Sequence, residues 1–125
     1  MDHSVLNING CQLRAVTLND YAFVQSLFEV QDIKKYYVLR DDHAANIRAF
    51  VQYMIAANQQ NAALDYIIVN DYGTSVGLRT AELIRHNGEI IWNVGYAVHP
   101  SYRHQGYASR ALNGLTRTHS PYKSH

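Results

Sequence analysis

The chain has 125 residues, of which 47% are apolar and 17% are charged, so it suits one folded domain (residues 1–125) and excludes a disordered or coiled-coil chain. Lys and Arg number 11 against 10 Asp and Glu, and this net charge of +1 argues against nucleic-acid or membrane-surface binding, which both need a clustered basic face. No apolar run approaches the ~20 residues that cross a bilayer, and no secretory signal follows Met1.

The first half of the chain predicts one strand region and two helices. Residues 5–16 alternate apolar and polar side chains around an Asn9-Gly10 turn pair, which is typical of a strand preceded by a short hairpin arm. A helix is expected from Thr17 to about residue 30, and a second from residues 41–42 to about 58–61. The second helix carries one apolar stripe, which favours packing on a sheet over partner binding.

Three further strands are expected at residues 64–69, 76–85 and 90–98. Asn87-Gly88 predicts a two-residue type I′ loop between the last two strands. With that loop, Glu82 lies directly opposite Asn93, and both side chains are on one face of the sheet. Strands that follow one another in this way indicate a mostly antiparallel sheet with flanking helices, an α+β fold.

The segment 94–112 runs from a strand through a loop into a further helix near Gly106. Amides at a helix start have no partner inside the helix and lie at the positive end of its dipole, which suits a phosphate group. Arg103 and His104 add side-chain donors. Because many helices begin with Gly, the spacing alone leaves a phosphate site and an ordinary helix start open.

The residues of this segment carry a family resemblance. Arg103-x-x-Gly106-x-Ala108, placed after a strand ending GYAVHP, resembles the acetyl-CoA signature of the GNAT superfamily of N-acetyltransferases. LRAVTLND and VGYAVHPSYRHQGYASRAL are similar to the branch that includes the ribosomal-protein N-terminal acetyltransferases. The resemblance extends over residues 6–115.

The resemblance implies an acyl-CoA N-acyltransferase fold and acetyl-CoA as cosubstrate. The pantetheine arm would bond to the backbone of the fourth family strand, here at Ala97 and Val98. The diphosphate would take the amides of five residues in the following loop, namely His104, Gln105, Gly106, Ala108 and Ser109. A primary amine, on a protein N-terminus or a small molecule, would then attack the thioester carbonyl directly.

The resemblance also implies where the amine loses its proton. Members of this branch often carry a glutamate just before the Gly-Tyr pair, where this chain has Asn93, which is no base. Glu82, opposite it in the predicted hairpin, is the candidate base acting through water; the alternatives are that it pairs with a cation or faces solvent. Tyr36 and Tyr37 fall where this family forms part of its acceptor pocket, although edge packing is equally compatible with the sequence.

The family normally continues beyond the third helix, whereas this sequence stops at His125 after a tail (116–125) without apolar periodicity. We therefore expect a fold truncated after its third helix, with the open edge of the 90–98 strand covered by a second copy of the chain or by strand exchange. The alternatives to an active enzyme are an impaired remnant that binds CoA or a protein partner, and a binder of another nucleotide.

No metal site is expected, because the seven His residues are scattered and Cys11 is the sole cysteine. A single cysteine also excludes an internal disulfide and favours a cytoplasmic protein.

Overall fold

The computed structural model describes residues 5–8 and 11–103. Its regular elements are β1 (Val5–Ile8), β2 (Cys11–Ala15), α1 (Tyr21–Leu27), α2 (Gln31–Tyr36), α3 (Asp41–Ala45), α4 (Ile47–Gln59), β3 (Tyr66–Val69), β4 (Ser75–His86) and β5 (Glu89–Val98), with 3₁₀ turns at Leu18–Asp20 and Pro100–Tyr102. The strands form one sheet in the order β1-β2-β3-β4-β5, and every neighbouring pair is antiparallel. The predicted α+β class is confirmed.

The β4–β5 hairpin has the predicted loop and register. Asn87 and Gly88 adopt φ angles of 51° and 80°, as a type I′ turn requires at both central residues. Glu82 pairs with Asn93. Because side chains alternate along a strand, this register places both side chains on the same face of the sheet.

The helices differ from the sequence prediction at two points. The first helix ends at Leu27, and a separate helix α2 follows, which the sequence analysis did not anticipate. The second helix is interrupted at Asn46, which is extended (φ −145°, ψ 92°) and whose side chain accepts a hydrogen bond from the Ala49 amide at 3.3 Å. Asparagine favours such local bonds over a helical backbone, so α4 begins afresh after it.

The helices cover one face of the sheet. The main core lies between them, and its buried members are Val16, Val24, Leu27, Phe28, Ile33, Phe50, Val51, Met54, Ile67, Val69, Leu78 and Ala97. A smaller cluster occupies the opposite face, with Cys11, Leu13, Tyr66, Ile68 and Val76 buried. Within the described ranges no helix is long and apolar enough to span a membrane.

The side chain of Asn58 connects the end of α4 to the entry of β3. Its amide nitrogen donates to the Asp65 carbonyl at 2.8 Å, and its carbonyl oxygen accepts from the Asp65 amide at 2.8 Å. Val16 adds a third bond, donating its amide to the Asp65 carbonyl at 3.3 Å. The backbone at Asp65 is therefore held from both sides.

Asn58→Ala should lower the free energy of unfolding by about 2–4 kcal/mol, because it leaves a buried Asp65 amide without its partner. Urea unfolding measures the loss, with Gln59→Ala as the control on an exposed residue of the same helix. Equal stabilities of the two variants would contradict this account of the α4–β3 connection.

Candidate active site

A cavity of about 450 Å³ lies between the sheet and the chain segments that cover it. Its floor is formed by residues of β4 and β5, which are Thr80, Glu82, Asn93, Val94 and Gly95. Its walls come from the end of α2 and the segment after it, from α3 and from α4, and consist of Tyr36, Tyr37, Val38, Leu39, Arg40, His43, Phe50 and Tyr53. The walls of the cavity therefore carry several aromatic rings and the cation of Arg40, and its floor carries a carboxylate.

The structure brings the two predicted catalytic residues together on this floor. Glu82 is half-buried and Asn93 is exposed, and they face each other across the β4–β5 ladder. The hydroxyl of Tyr53 has its pKa raised by burial and then by the nearby Glu82 carboxylate. A carboxylate in this position can accept a proton from an amine that enters the cavity, directly or through water.

Tyr37 closes the cavity against the sheet. Its hydroxyl lies 3.0 Å from the Thr80 hydroxyl, and burial raises the pKa of the phenol, which therefore stays protonated. A Cβ atom at Gly95 would lie 3.0 Å from the Tyr37 hydroxyl, so a side chain at that position would displace the ring. The structure shows both of the arrangements that the sequence left open, because Tyr36 and Tyr37 line the cavity and their rings also pack edge to face against each other.

Where the chain enters β3, side chains replace one of the backbone hydrogen bonds of a regular antiparallel pair. The Leu64 amide donates to the Ala81 carbonyl at 2.7 Å, and a regular antiparallel pair would return a bond from the Ala81 amide to the Leu64 carbonyl. Instead the Ala81 amide donates to Asp65 Oδ1 at 3.1 Å, and the Leu64 carbonyl accepts from Arg79 Nη2 at 3.1 Å. Two charged side chains thus take the place of one backbone bond.

Both of these side chains are buried. Asp65 and Arg79 are 0% exposed, and within the described residues Asp65 Oδ2 and Arg79 Nε and Nη1 have no hydrogen-bond partner. Burial, followed by the charge of Glu82, raises the pKa of Asp65 to about 7, against the opposing effects of the Ala81 amide and Arg79. Burial lowers the pKa of Arg79 to about 10, and its guanidinium lies 4.9 Å from the Tyr66 ring centroid.

Sequence reasoning missed Asp65. An isolated aspartate at the edge of the apolar run ALDYIIV was the available signal, because a carboxylate entering a fully buried strand needs a structural or chemical reason. The interruption of the β3–β4 ladder, which gives that reason, depends on Ala81 and Arg79, which are distant in sequence.

The cofactor side of the site follows from the β5 register. The residues that flank a two-residue hairpin loop exchange both backbone bonds, so Glu89 and every second residue after it direct their backbone groups toward β4. The bond from the His99 amide to the Val76 carbonyl, at 2.8 Å, is consistent with this alternation, because His99 lies an even number of residues after Glu89. The alternate residues of β5 direct their backbone groups to the outer edge, where the described part of the sheet has no further strand.

This alternation changes one expected contact. Val98, predicted to bond the pantetheine arm, directs its backbone groups outward and so do Tyr96 and Val94. Ala97, predicted for the same role, lies in the inward series and pairs with Leu78. A ligand that adds to this edge would therefore bond Tyr96 and Val98 in place of Ala97, because successive residues of a strand direct their bonds to opposite sides.

Arg103, predicted as a phosphate ligand, is held by two groups of this chain. Nη1 and Nη2 donate to the two carboxylate oxygens of Asp32 on α2 at 2.7 and 2.8 Å, and Nε donates to the Val98 carbonyl at 3.0 Å. The outward carbonyl of Val98 thus already has a partner. The other predicted cofactor residues, His104, Gln105, Gly106, Ala108 and Ser109, lie outside the described residues, and their role stays a prediction.

The buried carboxyl of Asp65 should make stability depend on pH. Since its pKa is raised from 3.8 to about 7 in the folded chain, folding favours the protonated form. That stabilisation is complete below about pH 4 and is lost as pH rises through 7, by an amount on the order of 4 kcal/mol. Asp65→Asn should remove this loss, so its stability relative to the unsubstituted chain should increase from pH 5 to pH 8.5.

Urea unfolding at several pH values measures this effect. The matched control is Asp71→Asn, the same change at an exposed aspartate, which should retain the pH dependence of the unsubstituted chain. Parallel stability curves for Asp65→Asn and the unsubstituted chain would contradict the assignment.

Comparison with known proteins places this geometry in a family. The sequence profile of the family described as "Acetyltransferase (GNAT) domain" matches residues 11–120. At the level of whole sequences, no curated protein matches the chain.

Solved structures share the fold. The ribosomal-protein-S5-alanine acetyltransferase of Vibrio fischeri superposes with a TM-score of 0.68 at 15% identity, over 90% of this chain and 67% of that one. RimL, a ribosomal L7/L12 α-N-protein acetyltransferase solved with coenzyme A, superposes with a TM-score of 0.68 at 20% identity, over 90% of this chain and 66% of that one. MccE, the microcin C7 self-immunity acetyltransferase solved with acetyl-CoA and AMP, superposes with a TM-score of 0.65 at 15% identity, over 87% of this chain and 62% of that one.

This chain therefore spans about two thirds of the length of these similar structures, and at such identities the likeness shows the fold. The match of the family profile covers most of the sequence and includes every described strand and helix after β1. The chain belongs to the GNAT acetyltransferase family.

Proposed function

We propose that this chain is an N-acetyltransferase domain that transfers the acetyl group of acetyl-CoA to a primary amine, on a protein N-terminus or a small molecule. The observation that carries the proposal is the aromatic cavity with Glu82 on its floor, built on the same strand pair whose outer edge carries Val98. Family membership supports the reaction type. Solved relatives that hold coenzyme A or acetyl-CoA support the cosubstrate.

Acetyl-CoA fits the outer edge of β5. Its pantetheine arm carries amide groups, which can bond to the outward backbone groups of Tyr96 and Val98 as an added strand would. For the Val98 carbonyl to accept such a bond, Arg103 Nε has to share or release it. The guanidinium reaches the diphosphate when it also leaves the Asp32 carboxylate, and the diphosphate then takes the place of that carboxylate. The segment 104–109, by its sequence, supplies the amides for the same diphosphate.

The amine fits the cavity. The Glu82 carboxylate and the surrounding rings favour an ammonium group, by charge and by cation–π attraction. The amine attacks the thioester carbonyl only after losing its proton, which passes to Glu82, directly or through water. The new C–N bond forms, the C–S bond of the thioester breaks, and coenzyme A leaves as a thiolate. Asn93, which is not a base, can orient the amine or the water by hydrogen bonding.

Binding of the cosubstrate tests the first half of the proposal. Gly106→Asp should abolish acetyl-CoA binding, because the carboxylate fills the approach to the predicted diphosphate site and repels the ligand. Calorimetry measures the affinity, and Gln52→Asp, which adds the same charge on an exposed face of α4, is the control. Unchanged affinity in Gly106→Asp would count against the site, as would ATP binding as tightly as CoA.

A measurement of acetyl transfer to an amine tests the second half of the proposal. Glu82→Gln should lower kcat about 100-fold with a peptide, polyamine or aminoglycoside acceptor, because the variant loses the proton acceptor. Release of the CoA thiol measures the rate, and Glu89→Gln, the same change at an exposed residue of the same hairpin, should leave it unchanged. Acetyl-CoA binding with no transfer to any acceptor would instead indicate a CoA-binding module.

A further inference from the structure

Asp65 lies behind the cavity floor that carries Glu82. We propose that Asp65 is a positioning residue for acetyl transfer, whose carboxyl group controls the charge behind Glu82, so that transfer speeds up when Asp65 loses its proton. This inference rests on the proposed function. It assigns a role to a residue that touches neither acetyl-CoA nor the amine.

The register places Asp65 on the cavity side of the sheet. Ala63 pairs with Glu82 and Tyr66 pairs with Arg79, so Asp65 falls opposite Thr80 between these two pairs. Because side chains alternate along each strand, Asp65 shares a face with Thr80 and Glu82, both of which line the cavity floor.

Asp65 cannot turn away from this position. Asn58 holds its amide and its carbonyl, and the Ala81 amide holds Oδ1. Oδ2 is buried, and no group in the described part of the chain bonds to it. A buried carboxylate oxygen without a partner is costly when charged and much less so when it carries a proton.

The charged and titratable groups around Asp65 come from three elements. Glu82 on β4 opposes its ionisation, whereas Arg79 on the same strand favours it. The phenols of Tyr53 on α4 and Tyr37 after α2 also interact with its charge, and their pKa values are raised, mainly by burial. Among the described residues, the charged groups that act on Asp65 are thus Glu82 and Arg79, and they act in opposite directions.

Ionisation of Asp65 places a second negative charge beside Glu82. This charge attracts an ammonium group in the cavity, which tightens binding of the acceptor. Because Asp65 lies behind Glu82, the charge acts more strongly on Glu82 than on the amine and favours transfer of the ammonium proton to Glu82. The chemical step should therefore become faster as Asp65 ionises.

The pH dependence of transfer tests this role. Asn in place of Asp65 keeps an acceptor for the Ala81 amide and stays neutral, so kcat and KM of Asp65→Asn should match those of the unsubstituted chain at pH 6. At pH 8.5 kcat should be about three- to tenfold lower and KM about three- to tenfold higher than in the unsubstituted chain, the factor expected for a like charge that changes a pKa by about half to one unit. Asp71→Asn is the control, and its kinetics should follow the unsubstituted chain throughout.

A purely structural role for Asp65 would lower kcat by the same factor at every pH, and such parallel profiles would overturn the proposal. So would an increase in KM without a decrease in kcat at pH 8.5.

A second measurement needs no activity and separates this inference from the proposed function. Carbon-13 NMR of the side-chain carboxyl groups in the full chain follows the titration of Asp65 directly. We expect a pKa near 7 that falls in Glu82→Gln, because the neighbouring like charge is removed. A titration near 4, or one that Glu82→Gln leaves in place, would overturn the inference. Failure of every acceptor to react would overturn the proposed function alone.

Discussion

The two-residue loop between β4 and β5 is the constraint on which the candidate site depends. Asn87 and Gly88 both take positive φ angles, and this sets the pairing of ten residues of β5 with β4. A slip by one residue would turn Glu82 and Asn93 to opposite faces and would reverse which β5 backbone groups point outward. The cavity that contains Glu82 and the outer edge of β5 therefore share one geometric origin.

The entry of β3 shows how the fold tolerates charge in its centre. Asp65 and Arg79 replace a backbone bond between Leu64 and Ala81, so each side chain gains a hydrogen bond that a regular ladder would have used. Each also keeps polar atoms that no described group satisfies. Such groups cost stability, and proteins often retain them where a shifted proton affinity serves a reaction. The pH dependence of folding, and under our proposal that of acetyl transfer, thus both involve Asp65.

The fold was largely predictable because its signals are local. Alternation and turn residues predicted the strands, and the Asn-Gly pair predicted the register that places Glu82 opposite Asn93. The break at Asn46 and the separate helix α2 were missed, since short helices leave too few turns for a clear apolar period. The direction of the backbone bonds along β5 leads us to expect a ligand contact at Tyr96 and not at Ala97, and the resemblance to a family did not specify this direction.

The sequence by itself determined the family, the hairpin and the candidate base, because each depends on residues close together in the chain. Only the tertiary structure showed the aromatic cavity around Glu82, the ion pair between Asp32 and Arg103, and the burial of Asp65. These features join α2, α4 and the β4–β5 hairpin, segments separated by tens of residues. Their electrostatics depend on distance and burial, which sequence patterns describe only along the chain.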